Sequence, residues 1–146
     1  MILEILQSVA DGSMAVSDAE LLIKTRPFAD LGYAKPDFHK GLRQGVPEVI
    51  YGQGKTAQQI VGIAKSLLEN GQETVLITRL DQEKAEEIEK VLPLSYHDTG
   101  RIGIIGEMPS ERKGNILVAT GGTSDMPVAE EAALTAEILG NNVIRL

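Results

Sequence analysis

Residues 119 to 127 carry the strongest chemical signal in the chain: Ala119-Thr120-Gly121-Gly122-Thr123-Ser124-Asp125-Met126-Pro127. An apolar run precedes them and an alanine-rich segment follows. A glycine-rich turn between a strand and a helix leaves backbone N–H groups free, and the helix dipole adds partial positive charge, so the turn suits an anion. Gly121 and Gly122 allow close backbone approach. Thr123 and Ser124 add hydroxyl donors, and Asp125 offers an acceptor for a hydroxyl or amine. The competing reading is that Ser124 or Asp125 caps the helix, while Glu130 and Glu131 serve its dipole.

A second segment, Tyr51-Gly52-Gln53-Gly54-Lys55-Thr56, invites comparison with a phosphate-binding P-loop. That template needs glycine where this chain has Val49, so a nucleotide triphosphatase is not expected. A simpler anion pocket built from Gly52, Gly54, Lys55 and Thr56 stays open beside an ordinary strand–helix connection. A third segment, Asp37 to Arg43, places His39 and Arg43 four residues apart, on one face if helical. His39 would then titrate near neutral pH, or be merely structural. No Ser/His/Asp arrangement and no His–Glu metal motif can be read. The chain has no cysteine, which removes disulfides, thiolate metal ligands and a thiol nucleophile from these residues. No metal site is expected.

The elements that must hold these residues follow from periodicity. Ile2, Leu3, Ile5, Leu6, Val9 and Ala10 fall at helical spacing before Gly12. Ser17 and Glu20 form an S-x-x-E capping box, with Val16 and Leu21 placed as a hydrophobic staple, so a second helix is expected from Ser17 to about Lys24. Pro27, Gly32, Pro36, Gly41, Gly45 and Pro47 break regularity over 25–47, apart from a helical turn near 37–44. A strand at 48–51 leads through the Gly52 turn to a T-x-x-Q box, Thr56 and Gln59. Ile60, Ile63, Ala64, Leu67 and Leu68 continue it as an amphipathic helix ending at Asn70-Gly71.

A strand at 74–78 is followed by a helix capped by Asp81 and closed by Pro93, then by two short strands near 94–97 and 102–105. Alternating strands and helices predict a three-layer α/β sheet with right-handed crossovers. Residues 106–115 read as a linker. A βαβ unit is expected over 116–146, its helix burying Val128, Ala129, Ala132, Ala133, Ala136 and Leu139. The expected organisation is thus an N-terminal α/β domain at 1–105, the linker, and the opening of a Rossmann-like, flavodoxin-like domain at 116–146. A lone βαβ unit cannot bury both faces of its strands, so it must pack on the first domain, on another chain or on further sequence.

Length and charge bound the remainder. A chain of 146 residues with 42% hydrophobic and 24% charged residues is an ordinary globular composition, built on aliphatic side chains because aromatics make up only 3%. The net charge of −7 is uneven. Residues 24–55 hold Lys24, Arg26, Lys35, Lys40, Arg43 and Lys55 against Asp30, Asp37 and Glu48, so six cations face three anions there. An acidic chain is a poor partner for nucleic acid, whereas a local basic stretch suits a small anion. No apolar run reaches the roughly 20 residues of a membrane span, and the start lacks a signal peptide's basic region, so a cytoplasmic location is expected.

Two long segments resemble one family. Residues 29–60, from Ala-Asp-Leu-Gly-Tyr-Ala-Lys-Pro-Asp-Phe-His-Lys-Gly-Leu-Arg through Tyr-Gly-Gln-Gly-Lys-Thr-Ala-Gln-Gln-Ile, resemble the N-terminal part of the LarB proteins of nickel-pincer cofactor biosynthesis. Residues 118–140, Val-Ala-Thr-Gly-Gly-Thr-Ser-Asp-Met-Pro onward, resemble the start of their C-terminal domain, which is similar to phosphoribosylaminoimidazole carboxylase. The resemblance implies carboxylation of the pyridinium ring of nicotinic acid adenine dinucleotide with CO2 or bicarbonate as co-substrate. It also implies magnesium, and phosphoanhydride hydrolysis that releases AMP.

The carboxylase relatives bind substrate phosphate and CO2 with a Gly-Ser-x-Ser-Asp loop. Carried over, that loop is Gly122-Thr123-Ser124-Asp125, with Thr123 departing from the pattern. The family's ring chemistry implies a cysteine further along, and this chain has none. The chain is therefore expected to be an N-terminal portion that binds the dinucleotide weakly and does not carboxylate it. A homo-oligomer is implied for the full-length family. The alternatives are a freestanding nucleotide-binding or regulatory module, a relative of the purine-pathway carboxylase, or a chain completed by a partner subunit.

Overall fold

The structure is a computed structural model, and it describes residues 2–25, 30–38 and 46–146. Two helices, α1 (Ile2–Ala10) and α2 (Val16–Thr25), pair at the start. They bury Ile5 and Ala19. Helix α2 does not begin at Ser17. The Ala15 carbonyl already accepts from the N–H groups of Asp18 and Ala19, so Ser17 lies inside the first turn. The preceding turn explains the early start: Asp11 Oδ1 accepts from the Ser13 N–H, and Ser13 Oγ donates to the Ser8 carbonyl. Val16 and Leu21 are exposed, so the expected staple is not packed. The helical turn expected at 37–44 falls largely outside the described residues.

The sheet carries the expected α/β alternation. Strand β1 (Val49–Tyr51) leads to α3 (Ala57–Glu69), β2 (Val75–Thr78), α4 (Gln82–Glu89), β3 (Leu94–His97) and β4 (Ile102–Ile105). The strand order is β1-β2-β4-β3. β1 and β2 are parallel, and β4 runs antiparallel to both of its neighbours. The link between β3 and β4, residues 98–101, is too short for a crossover, which needs a dozen residues or more, so a hairpin results and the sheet is mixed. Ile60, Leu67, Ile77, Leu80 and Ile88 are fully buried between α3, α4 and one face of the sheet.

Caps fix the helix starts as the sequence predicts. Thr56 Oγ1 accepts from the Gln59 N–H (3.2 Å), and the Gln59 side chain accepts from the Thr56 N–H (3.0 Å). Asp81 Oδ1 accepts from the Lys84 N–H (3.1 Å) at the head of α4. Loss of such a cap costs about 1 kcal/mol. Thr56→Ala is therefore expected to lower stability by about that amount in urea denaturation, with the slope of the transition unchanged.

The second unit comprises β5 (Gly114–Val118), a 3-10 turn (Thr123–Asp125), α5 (Met126–Ile138) and β6 (Asn141–Arg145). β5 and β6 are parallel and pair from Gly114↔Asn141 to Val118↔Arg145. The strand starts two residues before the expected position, because the Lys113 N–H donates to the Gly140 carbonyl and Asn142 bonds Asn115 across the pair. Helix α5 covers the other face of the first sheet: Leu134 and Ile138 pack with Leu76, Ile102 and Ile104. This completes three layers. The buried side of α5 is Ala133, Leu134 and Ile138, whereas Val128, Ala132 and Leu139 are exposed. The expected face is thus rotated, because the helix is apolar on nearly every side and its docking surface, not its periodicity, sets the orientation.

Candidate functional site

The glycine-rich loop leaves β5 at an extended ladder. The Leu146 N–H donates to the Val118 carbonyl, and the Thr120 N–H to the Leu146 carbonyl. Gly122 has φ −178°, extended backbone open to any residue. A Cβ on Gly121 or Gly122 would meet no atom within 4 Å. Neither packing nor backbone strain therefore requires glycine here.

The Asp125 N–H donates to the Gly122 carbonyl (3.2 Å), closing the 3-10 turn, and α5 begins with Met126 and Pro127. Asp125 makes no capping bond with its side chain. Among the described residues the side chains of Thr123, Ser124 and Asp125 have no hydrogen-bond or ion-pair partner. All three are exposed. The capping reading of Ser124 and Asp125 is not what the structure shows.

The loop borders a pocket of about 440 Å³ lined by Val118, Thr120, Gly122, Thr123, Met126 and Glu130, among others. Arg145 also lines it and is clamped by two carboxylates of α5. Its Nε lies 2.9 Å from Glu130 Oε2, and one Nη lies 2.7 Å from Glu137 Oε1. The other Nη donates to both carboxylates, at 3.0 and 3.1 Å. Hydrogen bonding from Arg145 holds the Glu137 carboxyl below its ordinary range, against the desolvation that would raise it. The two carboxylates raise the Arg145 guanidinium further above its already high value. Arg145 is committed to the fold and has little left for a ligand.

The turn at 52–56 is built differently. The Gly52 N–H donates to the Thr78 carbonyl (2.7 Å), and a Cβ on Gly52 would lie 2.9 Å from that same oxygen. Gly52 is therefore required by packing. Gly54 has φ 78°, the left-handed region that favours glycine. Lys55 Nζ donates to the Tyr51 carbonyl (2.8 Å), and the Thr56 hydroxyl is used in the cap. These bonds account for the turn as a strand–helix connection. His39 and Arg43 lie outside the described residues.

Two residues that sequence reasoning missed stand at the same end of the sheet. Arg79 has φ 54° and Arg101 has φ 52°. For a residue with a Cβ this left-handed conformation costs about 1–2 kcal/mol. Arg79 follows β2 and Arg101 precedes β4, just beyond the paired residues, whose register runs to Ile77↔Gly103. The Leu80 N–H donates to the Arg101 carbonyl (2.8 Å), and the Tyr96 hydroxyl donates to the Leu80 carbonyl (3.0 Å). Arg79 Nε lies 2.9 Å from Glu131 Oε2 on α5. A Cβ on Gly100 would lie 3.2 Å from the Glu131 backbone nitrogen. The start of α5 therefore rests on Arg79 and the β3–β4 turn. Gly52, Arg79, Arg101 and the Gly121–Asp125 loop share one end of the molecule, outside the carboxyl ends of β1, β2 and β5, where open α/β sheets hold their ligands.

Among the described residues no three His, Cys, Asp or Glu side chains cluster as a metal cage. No helix among them is long and apolar enough to cross a membrane.

Comparison with known proteins bears on this arrangement. Residues 28–107 match the family model described as the LarB/PurE-like N-terminal domain. An uncharacterized protein of Methanocaldococcus jannaschii is 32% identical over 151 residues, across 97% of this chain and 58% of that protein. The chain thus spans a little over half of that relative's length. The family match covers the whole four-stranded sheet, including Gly52, Arg79 and Arg101, and stops before the glycine-rich loop. On a match of more than half its length, the chain belongs to the LarB family, with residues 28–107 as its LarB/PurE-like N-terminal domain.

Proposed function

We propose that the chain contributes the dinucleotide-binding part of a carboxylase acting on a pyridine nucleotide. The reaction class comes from the family: carbon dioxide forms a new C–C bond to the pyridinium ring of nicotinic acid adenine dinucleotide, the ring loses a proton, and water cleaves the phosphoanhydride to release AMP. The product is the pyridinium-3,5-biscarboxylic acid mononucleotide. One observation carries the assignment to this site. Gly121, Gly122, Thr123, Ser124 and Asp125 form an exposed loop beside an open pocket, and the fold itself uses neither the glycines' freedom nor the polar side chains. Free N–H groups and hydroxyls suit a phosphate or carboxylate, and Asp125 suits a ribose hydroxyl.

Magnesium fits this site only in the manner usual for nucleotides, held by one carboxylate and the ligand's own phosphates. Asp125 is the loop's carboxylate without a protein partner. The metal would neutralise phosphate charge; binding and orientation fall to the loop.

These 146 residues contain no cysteine to add to the ring and make a ring carbon nucleophilic. The chain by itself is therefore proposed to bind without carboxylating. Calorimetric titration with nicotinic acid adenine dinucleotide tests this. Ser124→Ala and Asp125→Ala are each expected to weaken binding about tenfold, the worth of one charged or polar contact, with melting temperatures unchanged. Wild-type affinity in both variants, or product formed from bicarbonate by this chain alone, would sink the proposal.

A further inference from the structure

Arg79 lies on the opposite side of the sheet from the one its place after β2 predicts. Along β2 the side chains alternate: Val75 and Ile77 enter the core beneath α3 and α4, and Leu76 enters the one beneath α5. Continued alternation would send Arg79 to the α3–α4 side and Leu80 to the α5 side. The structure has the reverse. Leu80 is fully buried in the core that holds Ile77 and Ile88, and Arg79 Nε lies 2.9 Å from Glu131 Oε2 on α5. The left-handed backbone of Arg79, at φ 54°, makes the inversion, although its Cβ disfavours that region. Such strain persists only where the surrounding structure over-determines it.

Glu131 lies where α5 has little else to hold it. The buried residues of α5 are Ala133, Leu134 and Ile138, so the apolar contact holds only its second half. Two features reach the first half, which carries the Gly121–Asp125 loop. Among the described residues, Arg79–Glu131 is the ion pair that joins α5 to the four-stranded sheet. Gly100, in the β3–β4 turn, is not left-handed, yet a Cβ on it would lie 3.2 Å from the Glu131 nitrogen and 3.3 Å from the Glu130 carbonyl carbon. Close approach of the turn to α5 is thus what glycine allows there. Arg145, by contrast, ties α5 to β6 within its own unit and leaves the seat of that unit on the sheet undetermined.

We infer that Arg79 is a positioning residue for the Gly121–Asp125 loop. Through Glu131, and against the stop made by Gly100, it fixes where the head of α5 sits on the sheet, and so where the loop presents its donors. Its effect on binding rests on that loop being the dinucleotide site; the seating of α5 does not.

The test combines amide hydrogen exchange of the whole chain without ligand and calorimetric titration with nicotinic acid adenine dinucleotide. Arg79→Gly keeps the left-handed backbone and removes the cation. Exchange is expected to rise about fivefold at residues 129–134, the worth of a partly exposed ion pair, and to stay unchanged at 136–139 and in the β2–β4 ladder. Affinity for the dinucleotide should fall about fivefold by the same arithmetic. The melting temperature should stay near that of the wild type, because relief of the left-handed Cβ offsets the lost pair. Glu131→Gln should reproduce the exchange and affinity changes, and the double variant should lose no more than either single one, since both remove one bond. Arg79→Lys, which restores a cation, should recover part of both. Unchanged exchange at 129–134, a rise spread evenly over the chain, additive losses in the double variant, or faster exchange with wild-type affinity would each overturn this role for Arg79. If the wild-type chain does not bind the dinucleotide, the functional proposal falls by itself, and the exchange pattern alone decides whether Arg79 seats α5.

Discussion

Gly106→Ala is expected to destabilise the chain by about 3 kcal/mol or more, the sum of a left-handed backbone and an overpacked contact. Gly106 follows β4 with φ 96°, a conformation that L residues rarely adopt. A Cβ there would fall well inside contact distance of the Glu73 carbonyl oxygen and 3.2 Å from the Thr74 Cα. Both are backbone atoms, and neither can turn aside. They are also pinned: Thr74 Oγ1 donates to the Glu107 carbonyl (2.6 Å), tying the two segments at the point of the clash. Behind them Val75 and Ile105, paired across the ladder, are buried in the main core, so any shift propagates inward.

Gly54→Ala is the matched control. Its φ is also positive, at 78°, but a Cβ there meets nothing within 4 Å. It should lose only about 1 kcal/mol, the conformational part alone. Urea midpoints for the two variants separate strain from clash. Similar losses at both positions would show that the Glu73 contact carries no weight.

What was legible in the sequence depended on whether local chemistry alone decided the outcome. Thr56 with Gln59, and Asp81 with Lys84, start their helices where expected because a cap is a contact within one turn. β3 and β4 were legible because apolar residues there are bounded by Pro93, Gly100 and Gly106. Ser17 and Glu20 show the opposite case. The S-x-x-E spacing is present, but the turn made by Asp11 and Ser13 delivers the chain into the helix early, so Ser17 arrives inside it. The face of α5 was not legible, because Val128, Leu134 and Ile138 add apolar surface outside the alanine stripe of residues 129, 132, 133 and 136, and the orientation is set by Leu76, Ile102 and Ile104 some distance along the chain.

The candidate site divides in the same way. The Gly121–Asp125 loop announces itself by composition. Arg79 and Arg101 do not, because a left-handed arginine has no signature: the region is usually marked by glycine or asparagine. The turn at 52–56 is the weaker signal in sequence, and its Gly52 N–H, Lys55 ammonium and Thr56 N–H donate to Thr78, Tyr51 and Gln59. A motif thus becomes a site when its polar groups are left over after the fold has taken what it needs. By that criterion the Gly121–Asp125 loop is the stronger candidate and the Lys55 turn the weaker.

Arg145 marks the boundary between fold and site, and its removal should show a distinctive dependence on pH. Arg145→Ala takes away the hydrogen bonds that Glu130 and Glu137 share, leaving two carboxylates on one face of α5 with side-chain exposures of 23% and 21%. Arg145 itself is 40% exposed, so solvent screening limits the loss, and about 1–2 kcal/mol at pH 7 is expected. In the wild-type chain Arg145 is the largest influence holding the Glu137 carboxyl below its ordinary value. A carboxyl depressed in this way contributes stability that is fully present above its unfolded pKa and is lost as the pH falls through its folded one. In the variant that influence is gone, leaving desolvation, which raises the carboxyl, against the smaller pull of Arg112 and His97, which lower it, so less remains to be lost in acid. The gap between wild type and variant should therefore be widest near neutrality and close as the pH drops below about 4, the ordinary carboxylate range. Urea denaturation across that range reads it directly. Arg145→Ala combined with Glu137→Gln should recover part of the loss at pH 7, because one of the two uncompensated charges is then absent. A gap independent of pH would mean that the guanidinium stabilises the helix by packing alone.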